Sequence, residues 1–314
     1  MDPLNAPTLP YRPLRASVSH VVPVRGWRYH VRVWGQVHTS TPERPPLVLV
    51  HGWMDVAASW QFMVDALSAG RCVIAPDWRG FGLSTTDHTV QGYWFPDYLA
   101  DLDALLRSPE LGLAPDQAVD LVGHSMGGNI VMMYAAARPE RIRKLVNIEG
   151  FGMPDRRPDE APGQFRKWLN EQLEPVQLRD YPSVEAVARR LRLNNPRLGE
   201  DRAQWLAGHW AAPDAHGRWH ILGDPAHKRM NPVLYRQAEI EACWRAIAAP
   251  VLWVEGQDTD VFKWWTGRYS RADFDARLAV LKQVQTVLYP DCGHMVHHDQ
   301  PQALAAHLEA FLDT

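Results

Sequence analysis

Val119-Asp120-Leu121-Val122-Gly123-His124-Ser125-Met126-Gly127-Gly128 is the stretch that decides how this chain folds. Residues 119–122 are a short apolar run of the kind a buried strand requires. A helical pattern follows over 126–138. Between them stands G-x-S-x-G, in the strand–turn–helix setting that gives the pattern meaning. The glycines permit a sharp turn, because a Cβ there would strike the neighbouring strand or helix. Such a turn lifts Ser125 above the sheet edge. It also aims the Met126 backbone N–H and the helix N-terminus at a developing negative charge. A Gly/Ser turn that only packs a helix is the plainer reading, and the flanking strand and helix weigh against it.

Working outward, similar apolar runs occur at 47–50, 72–75, 145–148, 251–254 and 284–288, and strand-like stretches at 17–24 and 28–34. Helical patterns lie between most of them, at about 56–69, 94–107, 236–247, 273–282 and 301–312. This alternation predicts an α/β fold, a mostly parallel sheet with helices on both faces. From 152 to 235 no buried-strand run appears; segments 163–174 and 183–193 have helical periodicity instead. We read 152–235 as an inserted helical cap, 15–151 and 236–314 as the core, and 1–14 as an extended, Pro-rich arm. A second helical domain without catalytic role is the alternative for the insertion. The cap carries Trp168, Trp205, Trp210 and Trp219, which suggests an apolar pocket.

Two further segments carry chemistry. His51-Gly52-Trp53 ends the 47–50 strand, where Gly52 lets backbone approach a substrate and the Trp53 N–H is a candidate oxyanion donor. His51 reads as a structural hydrogen-bonding residue. Asp291-Cys292-Gly293-His294 follows the last strand, which puts His294 where a general base for Ser125 belongs. His294, His297, His298 and Asp299 also raise a metal site. Metal ligands normally need a second contributing segment, and neither H-E-x-x-H nor paired cysteines occur, so no metal is expected. The acid that orients His294 has three sources. Asp258, after the 251–254 strand, is the first choice. Glu149, after the preceding strand, is the competitor, one methylene longer and able to reach the same ring. Asp260 serves if the loop is a turn longer.

The 314 residues carry a net charge of −3, with 46% hydrophobic and 22% charged residues. That describes a soluble globule with no basic footprint for nucleic acid. No apolar run reaches membrane-spanning length. Cys72, Cys243 and Cys292 form no disulfide pattern, and no signal peptide is visible, so a cytoplasmic location is expected.

Together these residues resemble the α/β-hydrolase superfamily. Asp77-Trp78-Arg79-Gly80-Phe81-Gly82-Leu83-Ser84 resembles the D-x-R-G-x-G-x-S loop of its cap-bearing members, and His294 through Pro301 resembles the G-H-x5–6-P ending. His51 to Trp60 is similar to the serine hydrolase-like branch. The resemblance covers 47–150 and 250–312. It implies hydrolysis of a carboxylic ester, thioester or lactone through an acyl-enzyme on Ser125, acting on a small acyl substrate without cofactor. A C–C bond hydrolase and a non-catalytic binding protein of the same fold are the alternatives. One departure stands out: the family often places the acid three residues after the strand-end glycine, and here that position is Thr259.

Overall fold

The computed structural model describes residues 9–68, 70–265 and 267–314. Most of the arm expected over 1–14 lies outside them; residues 9–14 have no regular structure. Tyr11 still ties the core to the insertion, packing edge-on against Phe62 and Trp205.

Among the described residues eleven strands are formed: β1 (Val18–Val24), β2 (Trp27–Trp34), β3 (Leu47–Val50), β4 (Val73–Pro76), β5 (Val119–His124), β6 (Ile142–Ile148), β7 (Asp180–Tyr181), β8 (Ala211–Pro213), β9 (Trp219–Ile221), β10 (Val251–Gly256) and β11 (Val284–Tyr289). Eight make one sheet in the order β1-β2-β4-β3-β5-β6-β10-β11. The β1–β2 and β2–β4 pairs are antiparallel and all the others parallel. Central β3, β4, β5 and β10 are buried throughout, as helices on both faces of a parallel sheet require. β11 is one edge of the sheet, and its exposed Gln285, Thr286 and Leu288 interrupt the expected all-buried run.

The helices are α1 (Gln61–Val64), α2 (Phe95–Leu106), α3 (Met126–Ala137), α4 (Ala161–Gln172), α5 (Val184–Asn194), α6 (Glu200–Trp210), α7 (Gln237–Ala246), α8 (Val261–Trp264), α9 (Arg271–Leu278), α10 (Val296–Asp299) and α11 (Pro301–Leu312). Two apolar clusters, one on each sheet face, form the core. Leu102, Ile130, Val131 and Trp253 belong to one; Trp60, Leu252, Leu304 and Leu308 belong to the other. The helix expected over 56–69 is shorter. Its start is a 3₁₀ turn, Ala57–Trp60, where the Ala57 N–H is drawn to the Asp77 carboxylate at 2.6 Å.

The insertion between β6 and β10 is not purely helical. It holds α4, α5 and α6, and also a three-stranded antiparallel sheet in the order β7-β9-β8. A separate cluster built on Val187, Leu191, Leu206 and Trp210 packs it onto Val56, Ala58 and Phe62 of the core.

Candidate active site

The loops after β3, β5, β6, β10 and β11 gather at one edge, beyond the carboxyl ends of the parallel strands, where open α/β sheets hold ligands. At the centre Ser125 has φ 53° and ψ −114°. Few non-glycine residues adopt a positive φ, and such strain persists only where its surroundings enforce it. Here they do. A Cβ on Gly123 would stand 2.3 Å from the Gly127 carbonyl oxygen, and one on Gly127 2.5 Å from that of Val50. The turn is therefore pressed against its neighbours, and the Ser125 N–H is fixed on Ile148 O at 2.8 Å. α3 starts at Met126, so the first-turn N–H groups, Met126 among them, have no acceptor within the helix.

His294 follows β11. Its Nδ1 lies 2.9 Å from Glu149 Oε2, and the Glu149 side chain is fully buried. Glu149 is itself in a strained backbone conformation, φ 59°, directly after β6. Its carboxylate also accepts the Gly256 N–H at 2.7 Å and the Thr259 hydroxyl. The Gly256 N–H and the Thr259 hydroxyl both donate to it, and an ionised carboxylate there favours the His294 tautomer that carries its proton on Nδ1. Burial works against charge on either partner, pushing the Glu149 carboxyl up and the His294 imidazole down.

The first-choice acid of the sequence reading, Asp258, is not on His294, and that expectation is corrected. β10 runs on through Gly256, and the chain then turns with the Gln257 N–H on Tyr289 O and the Asp258 N–H on Cys292 O, both at 2.9 Å. That path sends the half-exposed Asp258 carboxylate away from His294, to Arg197 of the insertion in the cavity wall. Asp260 pairs with Lys263. Thr259, at the spacing where relatives often carry the acid, donates to Glu149 instead.

The loop after β3 brings Gly52 and Trp53 to the same cavity. His51 is structural, as expected: its Nε2 accepts the Trp78 N–H at 2.9 Å, so its Nδ1–H donates to Gly52 O at 2.7 Å. Asp77 braces this region by accepting the Ala57 and Leu83 N–H groups and bonding His30. His124, next to Ser125, donates from Nε2 to the His294 carbonyl at 2.9 Å; the sequence reading did not single it out.

Ser125 and His294 line a cavity of about 600 Å³ roofed by the insertion. Trp53, Trp264, Leu191, Leu206 and Ile221 give it apolar wall. Of the cap tryptophans, Trp210 lines it, whereas Trp205 packs on Tyr11 and Phe62. Arg179, Arg190, Arg197 and Lys228 also line it, all from the cap.

Residues 45–301 match the family model described as the alpha/beta hydrolase fold. The chain belongs to the α/β-hydrolase family. This hydrolase is 26% identical over 309 residues to a serine hydrolase-like protein of Danio rerio, covering 95% of this chain and 89% of that one. It is 37% identical over 111 residues to a 2-hydroxy-6-oxo-2,4-heptadienoate hydrolase of Pseudomonas putida, covering 34% of this chain and 38% of that one. Its structure resembles a thioesterase domain from the curacin biosynthetic pathway with a TM-score of 0.77 and 25% identity, covering 93% and 99% of the two chains. Among the described residues no helix is long and apolar enough to cross a membrane.

Proposed function

We propose that this hydrolase cleaves a carboxylic ester or thioester through an acyl-enzyme on Ser125, with His294 as general base and Glu149 as the acid that orients it. The observation that carries the reading is the 2.9 Å contact of His294 Nδ1 with buried Glu149, beside a serine held in a strained strand-to-helix turn. A proton fixed on Nδ1 leaves the Nε2 lone pair free to accept the Ser125 hydroxyl proton. Ser125 Oγ then adds to the substrate carbonyl carbon. The oxyanion is received by the N–H groups of Met126 and Trp53, the first of them at the α3 N-terminus. The intermediate collapses when the imidazolium Nε2–H protonates the leaving alcohol or thiol. Water, deprotonated by the same imidazole, releases the acid and restores Ser125.

The cavity wall supports a substrate class. Two of its acids are paired, Asp258 with Arg197 and Asp260 with Lys263. Among the described residues no carboxylate pairs with Arg179, Arg190 or Lys228. We therefore read the substrate as amphiphilic, with its acyl chain on the tryptophan and leucine wall and an anionic group toward the cap. The match to a dienoate hydrolase over a third of the chain favours a second reading, carbon–carbon cleavage of an anionic keto acid by the same three residues.

A fluorophosphonate probe and a series of p-nitrophenyl esters and acyl thioesters test the proposal. The probe is expected to label Ser125, and Ser125→Ala to lose several powers of ten in turnover while its melting curve is kept. Full-strength labelling in Ser125→Ala overturns it. Turnover of a dienoic keto acid with none of any ester favours the second reading.

A further inference from the structure

We propose that this hydrolase has a transition-metal site, suited to zinc, beneath its reaction centre and formed by Asp55, His124 and His297. The three come from three segments: the loop after β3, the end of β5, and α10. A second contributing segment is what a cluster confined to His294–Asp299 lacks. All three residues are buried, with His297 at 0% and His124 at 2% exposure. Their ligand atoms lie within 4.8 Å of one another.

Each offers a polar atom that is left unpaired. Asp55 Oδ2, His124 Nδ1 and His297 Nδ1 have no hydrogen-bond partner among the described residues. Buried polar atoms are nearly always satisfied, so two orphans, Asp55 Oδ2 and His124 Nδ1, in one cluster with the His297 ring call for an occupant. For His124 the protonation state follows from geometry. Its Nε2 faces a carbonyl, that of His294, and must carry the proton. Nδ1 is therefore a bare lone pair, and it faces the loop after β3: a Cβ on Gly52 would stand 3.0 Å from it. Asp55 Oδ2 is 3.9 Å from His297 Nε2.

Two imidazole nitrogens and one carboxylate oxygen make a ligand set that zinc accepts, with a fourth position left for water. An ion centred among three atoms no more than 4.8 Å apart lies at most about 2.8 Å from each, and zinc–nitrogen bonds are about 2.0–2.1 Å, so each side chain moves in by less than about 1 Å. The His124 Nε2–H on the His294 carbonyl is the outer bond that orients a ligating imidazole. Asp55 and His124 also line the cavity floor, which gives the ion an entry path. A bridging water is the other occupant such a cluster admits, and only an ion brings cation-specific ligation.

The test is calorimetric titration of the chelator-treated full chain with zinc, alongside the absorption spectrum of the cobalt(II) form. One site per chain is expected, with visible cobalt bands from nitrogen ligation. His297→Gln and Asp55→Asn should each weaken zinc at least about tenfold, the scale on which altered metal shells act. His294→Ala should bind as the parent does. Absence of binding by the folded parent, or an unchanged affinity in His297→Gln, overturns the proposal. Loss of binding in His294→Ala overturns it too, by placing the ion on the base. If Asp55→Asn does not fold, the parent's cobalt spectrum and His297→Gln decide.

Discussion

His294 Nδ1 and Glu149 Oε2 stand 2.9 Å apart, so an imidazole that lines the same cavity as Ser125 is held by a carboxylate at the end of β6, the strand beside the one that ends in the serine turn. The same carboxylate is fixed to the end of β10 by the Gly256 N–H and the Thr259 hydroxyl. Two strand ends are thus linked through one buried side chain.

Thr259 is expected to act through that link, as a positioning residue. Thr259→Val keeps the shape and removes a hydrogen bond to a charged group, a loss of about 1.5–3 kcal/mol, or roughly tenfold or more in rate. Thr259→Ser should restore most of kcat. The kcat of the Val and Ser forms on one ester checks this; equal rates in both, and in the parent, would separate Thr259 from the reaction.

The pH profile gives a second outcome. On the proposed mechanism neutral His294 is the base, and burial pushes its ionisation down, which extends the active form toward lower pH. Asp260 opposes that, and Glu149, when ionised, does so too by stabilising the imidazolium. Glu149→Gln removes its part of the opposition and leaves the burial. The acid limb of kcat/KM for the residual activity should therefore move to lower pH than in the parent. A limb that stays in place or moves up would show the two groups to be uncoupled.

The unpaired cap cations predict a charge preference. For two esters matched in length, one ending in a carboxylate and one in a methyl group, Arg190→Gln should raise KM for the first by roughly two- to fivefold, the scale of one exposed ion pair. KM for the second should hold. The difference should fade at high salt, and an equal effect on both esters would speak against an anionic group at the cap.

Much of this was legible in the sequence. The apolar runs placed the parallel strands because strands buried on both faces cannot alternate. Ser125 was legible because its glycines are forced by contacts as close as 2.3 Å. The carboxylate that partners His294 was not, because Asp258 and Glu149 both follow buried strands and only the turn's path separates them. That path depends on the Gln257 and Asp258 N–H bonds to Tyr289 and Cys292, which no local pattern announces. Thr259 was the available clue, since a hydroxyl where an acid is usual implies that the acid comes from elsewhere. In the cap, β7, β8 and β9 have only two or three residues each, too short to carry a period. The cluster of Asp55, His124 and His297 draws on residues up to 242 positions apart, and no spacing rule joins them.

The most direct test of the account is the paired measurement of kcat for Glu149→Gln and Asp258→Asn on one activated ester, with both proteins shown to be folded. Replacing a triad acid by its amide costs about four powers of ten in the template protease. The account predicts a loss of two or more powers of ten in Glu149→Gln, an estimate scaled down from that template. It predicts little change in Asp258→Asn, whose carboxylate lines the cavity wall paired with Arg197 and makes no hydrogen bond to His294. A large loss in Asp258→Asn with near-parental turnover in Glu149→Gln would contradict it.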